Sequence, residues 1–150
     1  MPSNMTFDAL KKAVKAGEID TVLVAATDMQ GRLMGKRFHA QFFIDSGYEE
    51  THCCNYLLAV DMEMEPVPGY AFANWQAGYG DFHLVPDLAT LRRASWLDRT
   101  ALVLCDVVDD SSHDFVAEAP RSILRRQVEA AAQQQYTAQG ASELEFFVFE

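Results

Sequence analysis

The sequence lacks the marks of several large protein classes. It has three cysteines, Cys53, Cys54 and Cys105, an odd number with two of them adjacent. That is not a secreted disulfide framework, and it fits the reducing cytoplasm, where the chain is expected. No apolar run approaches the roughly 18 residues that suggest a membrane span. The opening residues MPSNMTFD show neither a basic start nor an apolar signal core. Bases are scarce: 12 Lys and Arg face 22 Asp and Glu, for a net charge of −10. Such a surface repels nucleic-acid phosphate and anionic lipid, so neither is expected as a partner. His52-Cys53-Cys54 has metal-ligand residue types, but no second pair follows at zinc spacing, so core packing is the expectation. Glycine-flanked nucleophiles, P-loops and dinucleotide fingerprints are missing too.

What remains is an ordinary globular mix, 49% hydrophobic and 23% charged over 150 residues, enough for about one domain. Thr6 can cap a helix to about Ala16, with Gly17 as the stop and Phe7, Leu10 and Val14 as its apolar stripe. Residues 21–27 (TVLVAAT) are apolar on both faces and predict a central strand. Residues 28–31 signal a turn, and 32–38 a hairpin return. Residues 40–45 predict a short helix, 54–61 (CNYLLAVD) a strand, and 69–79 a structured loop with four aromatics. Strands are expected at 82–85 and 101–108, followed by a polar turn at 109–112.

A boundary is expected near residues 110–118. Pro120 then opens a helix with Ile123, Leu124, Val128, Ala131 and Ala132 on one stripe. A strand can begin at 136–138, and 142–150 (SELEFFVFE) reads as a strand. A helix and a buried strand after a finished-looking domain suggest the front of a longer chain. The alternative is that the last strand docks back onto the first sheet.

Glu143 and Glu145 are the sharpest chemical feature. On a strand they share one face, about 6.6 Å apart at Cα. Two neighbouring carboxylates beside large apolar rings suit hard divalent cations, and two cations serve phosphoryl transfer. The bland alternative is a solvated edge with two exposed acids. The acidic run 61–65 (DMEME) lacks calcium-loop spacing and reads as a solvated face or loop. Cys105, inside an apolar strand, reads as a buried structural thiol.

Several motifs in the right order match a known family: 27–37 (TDMQGRLMGKR), 80–92 (GDFHLVPDLATLR), Trp96, 104–106 (LCD), 119–121 (APR) with Leu124, and 142–149 (SELEFFVF). The chain resembles the N-terminal part of glutamine synthetase, the ATP-dependent glutamate–ammonia ligase, and its amine-ligating relatives. The resemblance implies an α+β fold. A β-grasp, ubiquitin-like domain would occupy residues 1–112. The first helix and strand of a glutamine-synthetase-type catalytic domain would follow in 113–150.

It also implies that Glu143 and Glu145 each give a ligand to one of two divalent cations, Mg²⁺ or Mn²⁺. Asp61 is implied as the aspartate that the β-grasp domain lends to a neighbouring subunit's amine site. The residues after Asp61 depart from the Gly-Ser-Ser pattern of the ammonia enzymes, which leans toward a larger amine such as a polyamine or alkylamine. Glutamate, ATP and ammonia or an amine are the implied substrates, through a γ-glutamyl phosphate. A stacked-ring homo-oligomer is the implied assembly. A non-catalytic β-grasp interaction module is the alternative from a different class.

Overall fold

The computed structural model describes residues 4–49, 51–76 and 78–149. Its first helix, α1 (Phe7–Lys15), is capped as its sequence requires. The Thr6 hydroxyl accepts from the Ala9 N–H at 3.1 Å, and the helix ends at Ala16. Leu10 and Ala13 are buried, and Phe7 and Val14 pack against the same core.

Strands β1 (Thr21–Thr27) and β2 (Leu33–His39) form an antiparallel hairpin, in register from Thr21↔His39 to Thr27↔Leu33. Gly31 closes the turn at φ +86°, where a side chain would strain the backbone. Gly35, opposite Ala25, lies so close to β1 that a Cβ would sit 1.9 Å from the Val24 carbonyl oxygen. A helical turn, α2 (Ala40–Phe42), widens into a π-helical turn over Phe43–Gly47 and carries Phe43 into the core.

Four more strands complete the sheet: β3 (His52–Cys54), β4 (Asp81–Pro86), β5 (Arg92–Arg93) and β6 (Thr100–Asp109). The order is β2-β1-β6-β4-β3, with β5 also paired to β6. β1 and β6 run parallel at the centre, and every other pairing is antiparallel. Both central strands are buried on both faces, which is why they read as near-continuous apolar runs. One face carries Val22, Val24, Val103, Cys105, Leu84 and Phe82 against Leu10 and Phe43. The other holds a smaller cluster of Ala25, Ala94 and Leu102. The fold is α+β, a mixed sheet with helices.

Cys105 is fully buried as expected, and burial pushes its thiol up to about 12. Burial raises Cys53 to about 11. All three cysteines are free. No helix among the described residues is long and apolar enough to cross a membrane.

Four expectations are corrected. The strand expected over 54–61 lies earlier, at His52–Cys54, and Asn55–Leu58 is a 3₁₀ turn. The chain leaves the strand path at Asn55, whose N–H still bonds the Gly80 carbonyl in the β3–β4 register while its amide side chain donates to the Phe72 carbonyl. The short helix expected over 40–45 continues as the wider turn to Gly47.

The helix opened by Pro120, α3 (Pro120–Gln133), forms, but its apolar stripe is not covered: Ile123, Leu124 and Val128 are exposed, and only Ser122 is buried. Residues 136–149 form no strand. A strand exists through its ladder partners, and the described residues offer this segment none, so Phe147 is left 87% exposed. The rings of Phe147 and Phe149 still meet, 6.4 Å apart at their centroids, as residues two apart on one side do. Glu150 lies outside the described residues.

Candidate functional site

The most connected polar group outside the ladders starts at the β1–β2 turn. Asp28 is almost wholly buried there. Its Oδ1 accepts from the Gln30 N–H at 2.9 Å and the Arg32 N–H at 2.8 Å. Its Oδ2 accepts from Arg32 Nε at 2.7 Å. Burial works to raise the Asp28 carboxyl, but the Arg32 side chain and the two backbone N–H groups outweigh it and hold the group below its ordinary value.

Arg32 then reaches across the sequence. Nη2 donates to the Asp61 carbonyl at 2.9 Å and Nη1 to the Met62 carbonyl at 2.8 Å. Gln30 Nε2 donates to the Val60 carbonyl, also at 2.9 Å. Three consecutive carbonyls, of residues 60–62, are thus gripped by one hairpin turn.

Asp61 sits at the start of a tight loop closed by the Val60↔Pro66 bridge. Its Oδ1 accepts from the Glu63 N–H at 2.8 Å and the Glu65 N–H at 3.0 Å. Met64 stands at φ +71°, a costly conformation for a residue with a side chain. The loop reading of this acidic run holds, and Asp61 is the residue that organises it. Asp61 Oδ2 accepts no hydrogen bond among the described residues.

A second group ties α3 to the sheet. Arg121 Nε donates to Asp106 Oδ1 at 3.0 Å, and its Nη2 to Asp87 Oδ2 at 2.8 Å. Arg125, one turn on, donates to Asp106 Oδ2 at 2.5 Å and lies 4.0 Å from the Phe115 ring centroid. Partial burial works to lower the Arg121 guanidinium, but the two aspartates raise it overall. The motifs that carry the resemblance include Asp87, Asp106 and Arg121. Their joint role as the helix anchor is not readable from them. The signal is a pair of arginines four apart in the first turns of a helix that follows two aspartates, Asp87 just past β4 and Asp106 inside β6.

Glu143 and Glu145 are exposed and lie in the segment without ladder partners. The structure does not bring them to Asp61 by any hydrogen bond among the described residues. No group of three or more His, Cys, Asp or Glu among those residues is placed to hold a metal ion. Two carboxylates have the right donor chemistry for a hard cation but fill only part of a six-oxygen shell.

No family model matches the chain. It is 52% identical over 143 residues to a gamma-glutamylethanolamide synthetase, GlnA4, of Streptomyces coelicolor, covering 95% of this chain and 31% of that protein. It is 34% identical over 136 residues to a glutamate–isopropylamine ligase of a Pseudomonas species, covering 90% and 29%. The chain's homologues are glutamine synthetase-family ligases. A solved structure described as a novel glutamine synthase homolog superposes with a TM-score of 0.63 at 16% identity, over 77% of this chain and 27% of that one. The fold of residues described here is therefore shared with glutamine synthetase-type proteins. The chain spans about three-tenths of the length of these relatives.

Proposed function

We propose that this chain is the front portion of an ATP-dependent ligase that joins glutamate to an amine larger than ammonia. The observation that carries the reading is the 52% identity, over nearly the whole chain, to a gamma-glutamylethanolamide synthetase. A second relative, named for isopropylamine, favours the same branch. Glutamine synthetase-family ligases use ATP and divalent metal ions.

The residues take these proposed roles. The first 112 residues form a β-grasp domain. The parallel β1–β6 pair at its centre, flanked by the β1–β2 hairpin, supports that description. Residues 113–150 begin the catalytic domain, and the Arg121–Asp106 anchor fixes where its first helix leaves the sheet. Glu143 and Glu145 each supply a carboxylate oxygen to a Mg²⁺ or Mn²⁺ ion, whose chemistry is to neutralise charge on the nucleotide phosphates. In the longer protein, the segment that carries them takes its ladder from residues outside this chain. The Asp61 carboxylate binds the ammonium form of the amine in a neighbouring subunit of a homo-oligomeric ring and takes up its proton. Its unclaimed Oδ2 is suited to that.

The reaction then follows from those roles. The glutamate γ-carboxylate attacks the γ-phosphorus of ATP, ADP leaves, and a γ-glutamyl phosphate forms. The deprotonated amine attacks that acyl carbon, phosphate leaves, and an amide remains. Positioning supplies most of the acceleration, because the intermediate is already activated.

The test is ATP-dependent phosphate release by the full-length ligase with ammonium, methylamine, ethanolamine, putrescine and spermidine. A larger amine is expected to outpace ammonium. Turnover with ammonium alone would overturn the amine reading. Retained activity in Glu145→Ala would overturn the metal assignment.

A further inference from the structure

We propose that Arg32, seated on the buried Asp28 carboxylate, is a positioning residue that sets the Asp61 loop and so the amine's approach. The proposal rests on the role given above to Asp61.

The β1–β2 turn does not itself need an arginine. Asp28 Oδ1 closes it by accepting from the Gln30 and Arg32 N–H groups, together with the backbone bonds from the Asp28 N–H to the Arg32 carbonyl and from the Gly31 N–H to the Asp28 carbonyl. The second oxygen is spent on the Arg32 side chain, and that side chain is spent on residues 61 and 62. The guanidinium is a rigid planar fork whose donors keep a fixed relation to one another. With Nε fixed on a buried carboxylate, the directions of Nη1 and Nη2 are fixed as well. They meet the carbonyls of Asp61 and Met62, so the fork bonds the backbone of the residue whose carboxylate matters. Gln30 adds the Val60 carbonyl from the same turn.

The loop cannot supply this placement. Its internal bonds, from the Glu63 and Glu65 N–H groups to Asp61 Oδ1, fix its shape and not its seat on the sheet. The turn's bonds to residues 60–62 fix that seat, above a loop base held by the buried Leu58, Ala59 and Val60. Asp61 Oδ2 is then free to meet a cation at a place set by the hairpin. The turn is a poor candidate for direct catalysis, since Asp28 is buried and both its oxygens are occupied. Its effect passes through the loop.

The experiment compares variants of the full-length ligase with ethanolamine as the amine. Arg32→Ala would strand the Asp28 charge, so the variant of choice is the paired change Asp28→Asn with Arg32→Met. Gln30→Leu removes one grip without touching a charge. The paired variant is expected to raise the amine KM about tenfold, the scale of a few lost hydrogen bonds, while the KM values for ATP and glutamate stay within about twofold. Gln30→Leu raises the amine KM by a smaller factor. Arg32→Lys, which keeps the charge but not the fork, recovers part of the loss. An unmoved amine KM, or an equal rise for all three substrates, would overturn the proposal.

Asp61→Asn separates the two claims. If it leaves the amine KM in place, the Asp61 role fails. The clamp is then decided by hydrogen exchange at the Met64 amide of the paired variant, whose acceptor is the Asp61 carbonyl that Arg32 grips. Faster exchange supports it, and unchanged exchange overturns it.

Discussion

The Asp61 loop and the Glu143–Glu145 segment make an instructive pair. Both are acidic runs with apolar residues interleaved, the first straight after the buried residues 58–60 and the second after a polar stretch that follows α3. The loop finds partners within the described residues. Its backbone is gripped by Arg32 and Gln30, and its own carboxylate closes it. The segment finds none, and its phenylalanines face outward. Residue pattern sets which side chains share a face. Partners decide whether that face becomes structure.

The strongest way to break this comparison is to remove the loop's grip. Arg32→Ala leaves Asp28 buried and unpaired. It is expected to destabilise the chain by about 3 kcal/mol, the scale of breaking a buried ion pair from one side. A urea midpoint measured against the parent chain reads this directly. A loss under about 1 kcal/mol would mean that the turn relaxes and exposes Asp28, and that the grip is weaker than its geometry.

The next effect lies between the two regions, at the anchor of α3. Asp106→Asn takes the charge from a carboxylate that holds both Arg121 and Arg125. The expected cost is about 2 kcal/mol, as for hydrogen bonds to charged groups. Hydrogen exchange should quicken in the first turns of α3 and leave β1 unchanged. Quickening in both would mean that the helix and the sheet unfold as one unit.

Acid sharpens the contrast without mutation. Asp28 is held below its ordinary value in the fold, so the unfolded chain binds its proton first as pH falls. Its stabilising contribution is complete above the ordinary carboxylate value of about 4 and is lost as pH drops through the lower folded value. Asp28→Asn should therefore flatten the stability–pH curve below about pH 4. A curve of unchanged slope would remove Asp28 from the account.

Much of the sheet was legible because its strands carry their burial in their own sequence. The 21–27 and 101–108 runs are apolar on both faces since both strands lie inside the sheet, and α1 announces its start through Thr6. The strand misplaced over 54–61 and the unforeseen grip on the Asp61 loop share one physical cause, which is a contact distant in sequence. Asn55 turns the chain by reaching Phe72, 17 residues on. Arg32 meets Asp61 across 29 residues. The 27–37 motif carried the resemblance, yet nothing in its spacing says which loop its arginine holds. The site was thus legible as residues and not as a circuit. Asp61 could be singled out by position, while the pair that seats it could not.

The smallest expected effect tests the other side of the comparison. Phe147→Ala and Phe149→Ala remove large rings, a change that costs about 3–5 kcal/mol in a packed core. Here both rings are exposed and touch mainly each other, so each substitution should shift stability by no more than about 0.5 kcal/mol. It should also reduce concentration-dependent association, because exposed aromatic, strand-forming segments template one another. In the full-length ligase the same substitutions should cost several times more, since there the segment is proposed to be a covered strand. Equal small costs in both would mean that residues 142–149 stay uncovered in the longer protein too. The proposed placement of Glu143 and Glu145 on a catalytic strand would then fall with them.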